Sequence, residues 1–138
     1  MRTIVLDSNV LIAGLRSKRG ASNKLLSLVG TGVFTSVVSV PLIFEYEDVA
    51  LRHLEHISYS ADEVREIINF VCSMSDAYPI YYLWRPFLPD PGDDHVLELA
   101  VAAGCDSIIT FNLRDFRGIE RFGLQAQTPG RFLKEIHT

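Results

Sequence analysis

Only two of the 138 residues are cysteine, Cys72 and Cys105, and their spacing fits no zinc motif. Both read as small buried hydrophobes rather than as a disulfide or a metal pair. No apolar run reaches the length that spans a bilayer. A strand-like run begins directly after Met1, too early for a signal peptide, so a cytoplasmic protein without membrane contact is expected. No glycine-rich phosphate loop, linker, low-complexity stretch or internal repeat is present. Positive charge is scarce as well: 13 Lys and Arg against 17 Asp and Glu give a net charge of −4 with neutral His. That excludes a protein that coats nucleic acid through bulk positive charge. It leaves room for an enzyme that meets phosphate through a bound cation, with local basic patches steering the substrate.

What is there suits one domain over residues 1–138, with 48% hydrophobic and 22% charged residues. Residues 2–7 form a continuous apolar run, as buried parallel strands do. A short helix follows to about Leu15, then a basic loop, then a helix from Ala21 to about Val29 that Gly30 and Gly32 end. Val33–Ser36 is expected as the second strand. Ser39 caps the next helix, with Pro41 in its first turn. Leu42, Ile43, Tyr46, Val49, Ala50, His53 and Leu54 share one face of it, and Glu45 lies at the border of that face. Ser60 and Glu63 form a capping-box pattern. Ile80–Leu83 reads as a third strand. Asp93–Ala103 is a helix ended by Gly104, and Ser107–Thr110 a fourth strand. Gln125–Gln127 is a weak fifth strand, and a last helix runs from Pro129 to about Ile136. Strands alternate with helices, which predicts a three-layer α/β/α sandwich with a mainly parallel sheet of about five strands.

Acids gather at the strand ends of this plan. Asp7 closes the first strand, Asp93 and Asp94 open a helix, Asp115 follows the fourth strand, and Glu45 lies between them. Any one of the aspartates could be a helix cap. Their joint placement carries more, because ligand sites of open α/β sheets form outside the carboxyl ends of the strands. Two carboxylates about 4 Å apart repel by about 4 kcal/mol in a surface-like dielectric. Either their pKa values rise or a cation joins them, and an oxygen-only set suits a hard divalent ion.

Four segments carry a family resemblance: Asp7-Ser8-Asn9-Val10-Leu11-Ile12, Pro41-Leu42-Ile43-Phe44-Glu45-Tyr46, Asp90-Pro91-Gly92-Asp93-Asp94-His95-Val96-Leu97 and Thr110-Phe111-Asn112-Leu113-Arg114-Asp115-Phe116. In this order and spacing the chain resembles PIN-domain ribonucleases over nearly its whole length, the VapC-like toxins of toxin–antitoxin pairs above all. The resemblance implies an endoribonuclease dependent on Mg²⁺ or Mn²⁺ that leaves 5′-phosphate and 3′-hydroxyl ends. It makes Asp7, Glu45, Asp93 and Asp115 the catalytic acids. Asp7, Asp93, Asp94 and Asp115 are the metal-ligand candidates, with Asp93 and Asp94 as alternatives and Asn112 or Asp115 at the last position. Ser8, Asn9 and Asn112 would orient ligands or water. It also implies an RNA substrate, a cognate antitoxin protein and a homodimer.

Other signals are weaker. Arg16, Lys18, Arg19 and Arg114 are candidates for contact with an RNA backbone, against the reading of solvated loop charge. His53 and His56 lack a third metal ligand, and His95 reads as packing or solvent-exposed. The Tyr78–Trp84 aromatics read as core or dimer contacts. A phosphatase of the haloacid-dehalogenase type also starts from an Asp after the first strand, but it wants a second Asp where this chain has Asn9. Asn112 motivates a further alternative, a PIN-like module that has lost turnover and acts through protein partners.

Overall fold

The computed structural model describes residues 1–80 and 87–136. Five parallel strands form one sheet: β1 (Arg2–Leu6), β2 (Phe34–Val38), β3 (Asp76–Ala77), β4 (Ser107–Ile109) and β5 (Gln125–Gln127). Their order is β3-β2-β1-β4-β5. Among the described residues six α-helices pack with them: α1 (Ser8–Arg16), α2 (Ala21–Leu28), α3 (Val40–Arg52), α4 (Ala61–Ser73), α5 (Asp94–Ala102) and, after the last strand, α6 (Pro129–Ile136). Among the described residues no helix is long and apolar enough to cross a membrane.

The sheet is buried on both faces, which explains the unbroken apolar runs of β1 and β4. Successive side chains of a strand point to opposite sides. Val5 and Ile108 therefore join a core with Leu11 of α1, Leu42 and Tyr46 of α3, Val64 and Ile68 of α4, and Leu97 and Leu99 of α5. Ile4, Leu6 and Ile109 join a second core with Val10 of α1, Leu25 of α2 and Phe132 of α6. Helices thus cover both faces in a three-layer α/β/α sandwich.

Local signals set most boundaries. Ser39 accepts from the Leu42 backbone and starts α3. Ser60 and Glu63 complete a reciprocal capping box that starts α4. α3 stops at Arg52, before the apolar periodicity does, and Leu54–His56 continues as a 3-10 turn.

The third strand of the described residues lies ahead of the expected one. β3 pairs Asp76 with Val37 and Ala77 with Val38, and Ile80 lies beyond it. Residues 81–83 of that expectation, with Tyr81, Tyr82 and Trp84, lie outside the described residues. The Tyr78 N–H extends the pairing to the Val38 carbonyl at 2.9 Å. Pro79 then offers no N–H to continue it. A two-residue exposed edge strand has no apolar run to announce it. β2 also runs two residues further than expected, to Val38.

The register lines up the carboxyl ends. Leu6 pairs with Ile109, and Ile109 with Gln127. Strand order reverses at the β1–β4 pair, since the chain goes outward from β1 to β2 and β3 before returning to β4 on its other side. That topological switch point is where an open α/β sheet leaves a crevice for a ligand.

Candidate active site at the carboxyl edge of the sheet

Asp7 sits in that crevice, only 5% exposed. Its own N–H continues the ladder to the Ile109 carbonyl at 2.9 Å. The Ser8 N–H donates to its Oδ1 at 2.8 Å, and Thr110 Oγ1 to its Oδ2 at 2.8 Å. Asn9 Nδ2 approaches the same Oδ2 at 3.4 Å, and Asn9 Oδ1 accepts the Phe111 N–H at 3.3 Å. Ser8 and Asn9 thus lie at Asp7, as the orienting role would need. Burial pushes the Asp7 carboxyl above the usual range; the Thr110 and Ser8 bonds pull it back, and the net shift is upward.

Glu45 reaches the same place from the second turn of α3. Burial alone would raise its carboxyl, but bonds from His95 and the Ser8 hydroxyl outweigh burial and hold it low. The His95 Nε2 contact is 3.2 Å, and His95 Nδ1 is buried without a partner among the described residues. His95, expected as packing or solvent-exposed, is therefore a mostly buried neighbour of the acid cluster. Tyr46, the next residue of α3, is buried and donates its hydroxyl to the Leu6 carbonyl, beside Asp7.

Asp93 and Asp94 part company. Asp90-Pro91-Gly92 turns sharply, with Asp90 Oδ1 accepting the Gly92 N–H at 2.9 Å. Pro91–Asp93 is a 3-10 turn, so α5 starts at Asp94 and not at Asp93. The Asp93 side chain makes no cap bond. Burial and the charges of Asp7, Asp90, Asp115 and Glu45 push its carboxyl up to about 7. Asp94 Oδ1 instead accepts the N–H groups of Phe87 at 3.2 Å and Leu88 at 3.0 Å, tying down the preceding loop.

Asp115 lies in the 3-10 turn Leu113–Phe116, close enough for its charge to reach Asp93. Asn112, exposed, donates its N–H to Thr110 Oγ1 at 3.0 Å, and its carbonyl accepts the Asp115 N–H at 3.0 Å. Arg114 is exposed in the same turn. Arg16 is elsewhere, in the last turn of α1, on a cavity with Ala13, Ser17 and His56. Lys18 stacks its ammonium over the Tyr59 ring at 5.6 Å, and Arg19 is exposed. The acids thus share one neighbourhood and each other's field. Their donor chemistry, oxygen only, fits a hard divalent cation. The cluster is open: among the described residues no three His, Cys, Asp or Glu side chains converge tightly enough to hold an ion.

Sequence reasoning gave no role to Thr110 or Asp90, and read His95 as packing or solvent-exposed. Thr110 ends an apolar strand with a polar residue, which is a usable signal at a strand's carboxyl end. Nothing local announces that His95 meets Glu45, fifty positions away.

A profile of the PIN domain matches residues 3–114. The chain belongs to the PIN-domain family. No curated protein matches it in sequence. Among solved structures, this PIN domain resembles a chain from the crystal structure of VapBC2 from Rickettsia felis bound to a DNA fragment from their promoter. The TM-score is 0.62 at 12% identity, over 90% of this chain and 98% of that one. At that identity the likeness is one of fold.

Proposed function

We propose that this PIN domain is a metal-dependent endoribonuclease, the toxin of a toxin–antitoxin pair. The observation that carries the reading is Asp93, whose carboxyl is pushed up to about 7 by burial and by Asp7, Asp90, Asp115 and Glu45. Such an arrangement is costly by itself and is relieved by a cation. Asp7, Asp93 and Asp115 would hold Mg²⁺ or Mn²⁺, with Asn112 beside them. When bound, the ion supplies positive charge against the phosphate and makes water more acidic.

The protein's own groups do the positioning. Thr110, Ser8 and Asn9 fix the plane of the Asp7 carboxylate. His95 and Ser8 keep Glu45 ionised and aimed into the crevice, where it orients the attacking water and accepts its proton. Asp94 is spent on the Phe87–Leu88 loop, so Asp93 is the ligand of the pair. RNA as substrate, an antitoxin partner and a homodimer belong to the same proposal, supported by family membership and by the fold shared with VapBC2.

The deciding experiment incubates the purified protein with single-stranded RNA and Mn²⁺, with EDTA as control. Asp7→Asn and Asp93→Asn should abolish cleavage. Full activity in Asp7→Asn would remove the assignment. The open spacing of the acids favours a second reading, a PIN domain that acts only through partners. Calorimetric titration separates the two: no Mg²⁺ or Mn²⁺ binding in the millimolar range selects the partner-only reading.

A further inference from the structure

Helix α1 leads away from the acid cluster along one open stripe. Its exposed or half-exposed positions are Ser8, Asn9, Ala13 and Arg16, while Val10, Leu11, Ile12, Gly14 and Leu15 are buried. Asn9, Ala13 and Arg16 stand three or four positions apart and so form a single line on the helix surface. α3 lies alongside. At one end Ser8 of α1 lies close enough to Glu45 of α3 to lower its carboxyl. At the other, Ala13, Arg16 and Ser17 share a cavity of about 370 Å³ with His56, just beyond the end of α3. The two helices therefore start together at the carboxylates and end together at a basic cavity. Arg16 is about 10 Å along the helix from Asn9.

At the cavity His56 Nε2 meets the Glu55 carboxylate at 3.3 Å, which leaves Arg16 as its free cation among the described residues. Arg16 makes no ion pair among the described residues, and neither does Arg19. Lys18 adds a further charge nearby, over Tyr59. The helix dipole alone favours a cation in the last turn of α1. That accounts for a cation at Arg16 but not for the open stripe, kept low by Ala13, that joins it to the acids. A planar guanidinium opening on a cavity is suited to a phosphate oxygen pair.

We propose that the cavity of Arg16, Ser17 and His56 is a phosphate subsite, which holds the backbone of a single-stranded nucleic acid whose neighbouring phosphodiester lies at the carboxylates. The subsite rests on the nuclease reading for its biological ligand, but its chemistry can be tested without turnover. Bound at both ends, the strand lies along α1, and the subsite sets affinity while the acids set the rate.

The test measures anisotropy of a fluorescein-labelled single-stranded oligoribonucleotide in EDTA, where no cleavage competes, over a series of salt concentrations. Arg16→Gln should weaken binding at least about fivefold and flatten the log–log salt slope by about 0.7, the loss of one phosphate contact. Arg131→Ala, which removes an equal charge from α6 at a separate cavity, should change neither. In the Mn²⁺ cleavage assay, Arg16→Gln should raise KM with kcat unchanged. Equal affinity and equal slope for wild type and Arg16→Gln would overturn the subsite while leaving the nuclease reading standing. Binding lost in Arg16→Gln but no cleavage by wild type would do the reverse. A matching loss in Arg131→Ala would reduce the effect to general charge and overturn the subsite as well. Circular dichroism checks that Arg16→Gln, an exposed change, is folded.

Discussion

Thr110 donates its hydroxyl to Asp7 Oδ2 at 2.8 Å across 103 positions of chain. The bond bridges β1 and β4 at the point where strand order reverses, and both residues are buried. It fixes a carboxylate at the switch point of the sheet. Replacing Thr110 by Val removes a donor to a buried carboxylate and should cost about 2 kcal/mol. Thr110→Ser should recover most of it. Urea denaturation at pH 7 measures both, and equal stability of Thr110→Val and wild type would mean the bond is not formed.

Asp93 should make the metal-free protein sensitive to pH. Its folded pKa, about 7, is raised above the ordinary carboxylate value. Between about pH 4 and pH 7 the folded state therefore binds more protons than the unfolded one, and its stability falls as pH rises through that window. Asp93→Asn should stabilise the EDTA-treated protein at pH 8 by about 1 kcal/mol after screening by solvent. That is about 3 °C in Tm. At pH 4 the change should be close to zero. A Tm gain of equal size at both pH values would show that charge is not its cause.

Cation binding should invert that behaviour. At pH 8 Mn²⁺ should raise the Tm of the wild type in proportion to the logarithm of its concentration. Asp7→Asn and Asp93→Asn should lose most of this gain. Thermal melts with millimolar Mn²⁺ decide it, and a gain that survives both substitutions places the ion elsewhere.

Asp93 and Asp94 should differ sharply in activity. Asp94→Asn keeps an acceptor oxygen for the Phe87 and Leu88 N–H groups and should retain cleavage within about threefold, a change of under 1 kcal/mol in the barrier. Asp93→Asn should fall below about a hundredth of wild type, as loss of a cation ligand does. If the two swap places in the cleavage assay, the assignment of the pair is reversed.

Tyr46→Phe should test the support behind the site. The buried hydroxyl bonds the Leu6 carbonyl, one residue before Asp7. Its loss should cost about 1 kcal/mol, measurable by denaturation. A Tyr46→Phe protein as stable as wild type would remove the anchor from the account.

The helices were legible where their signals are local. Ser39 caps α3 and the Ser60–Glu63 box starts α4 because a cap needs only the next three residues. The apolar runs of β1 and β4 announced buried strands, and Asp7 at the end of one of them announced the carboxyl edge of the sheet. β3 escaped because its two residues are exposed and its identity lies only in their pairing with Val37 and Val38. His95 was misjudged for a similar reason: on α5 it reads as packing or surface, and α3 delivers its partner.

The order of strands and helices, the buried sheet and the residue types gathered at its carboxyl edge follow from the chain alone, since periodicity, caps and breakers act over a few residues. Tertiary structure decided which acid faces which. It turned Asp94 to the Phe87–Leu88 loop, left Asp93 in the field of four other carboxylates, and joined Glu45 to His95. Those choices depend on strand register and helix placement across tens of residues, and no short stretch of sequence contains them.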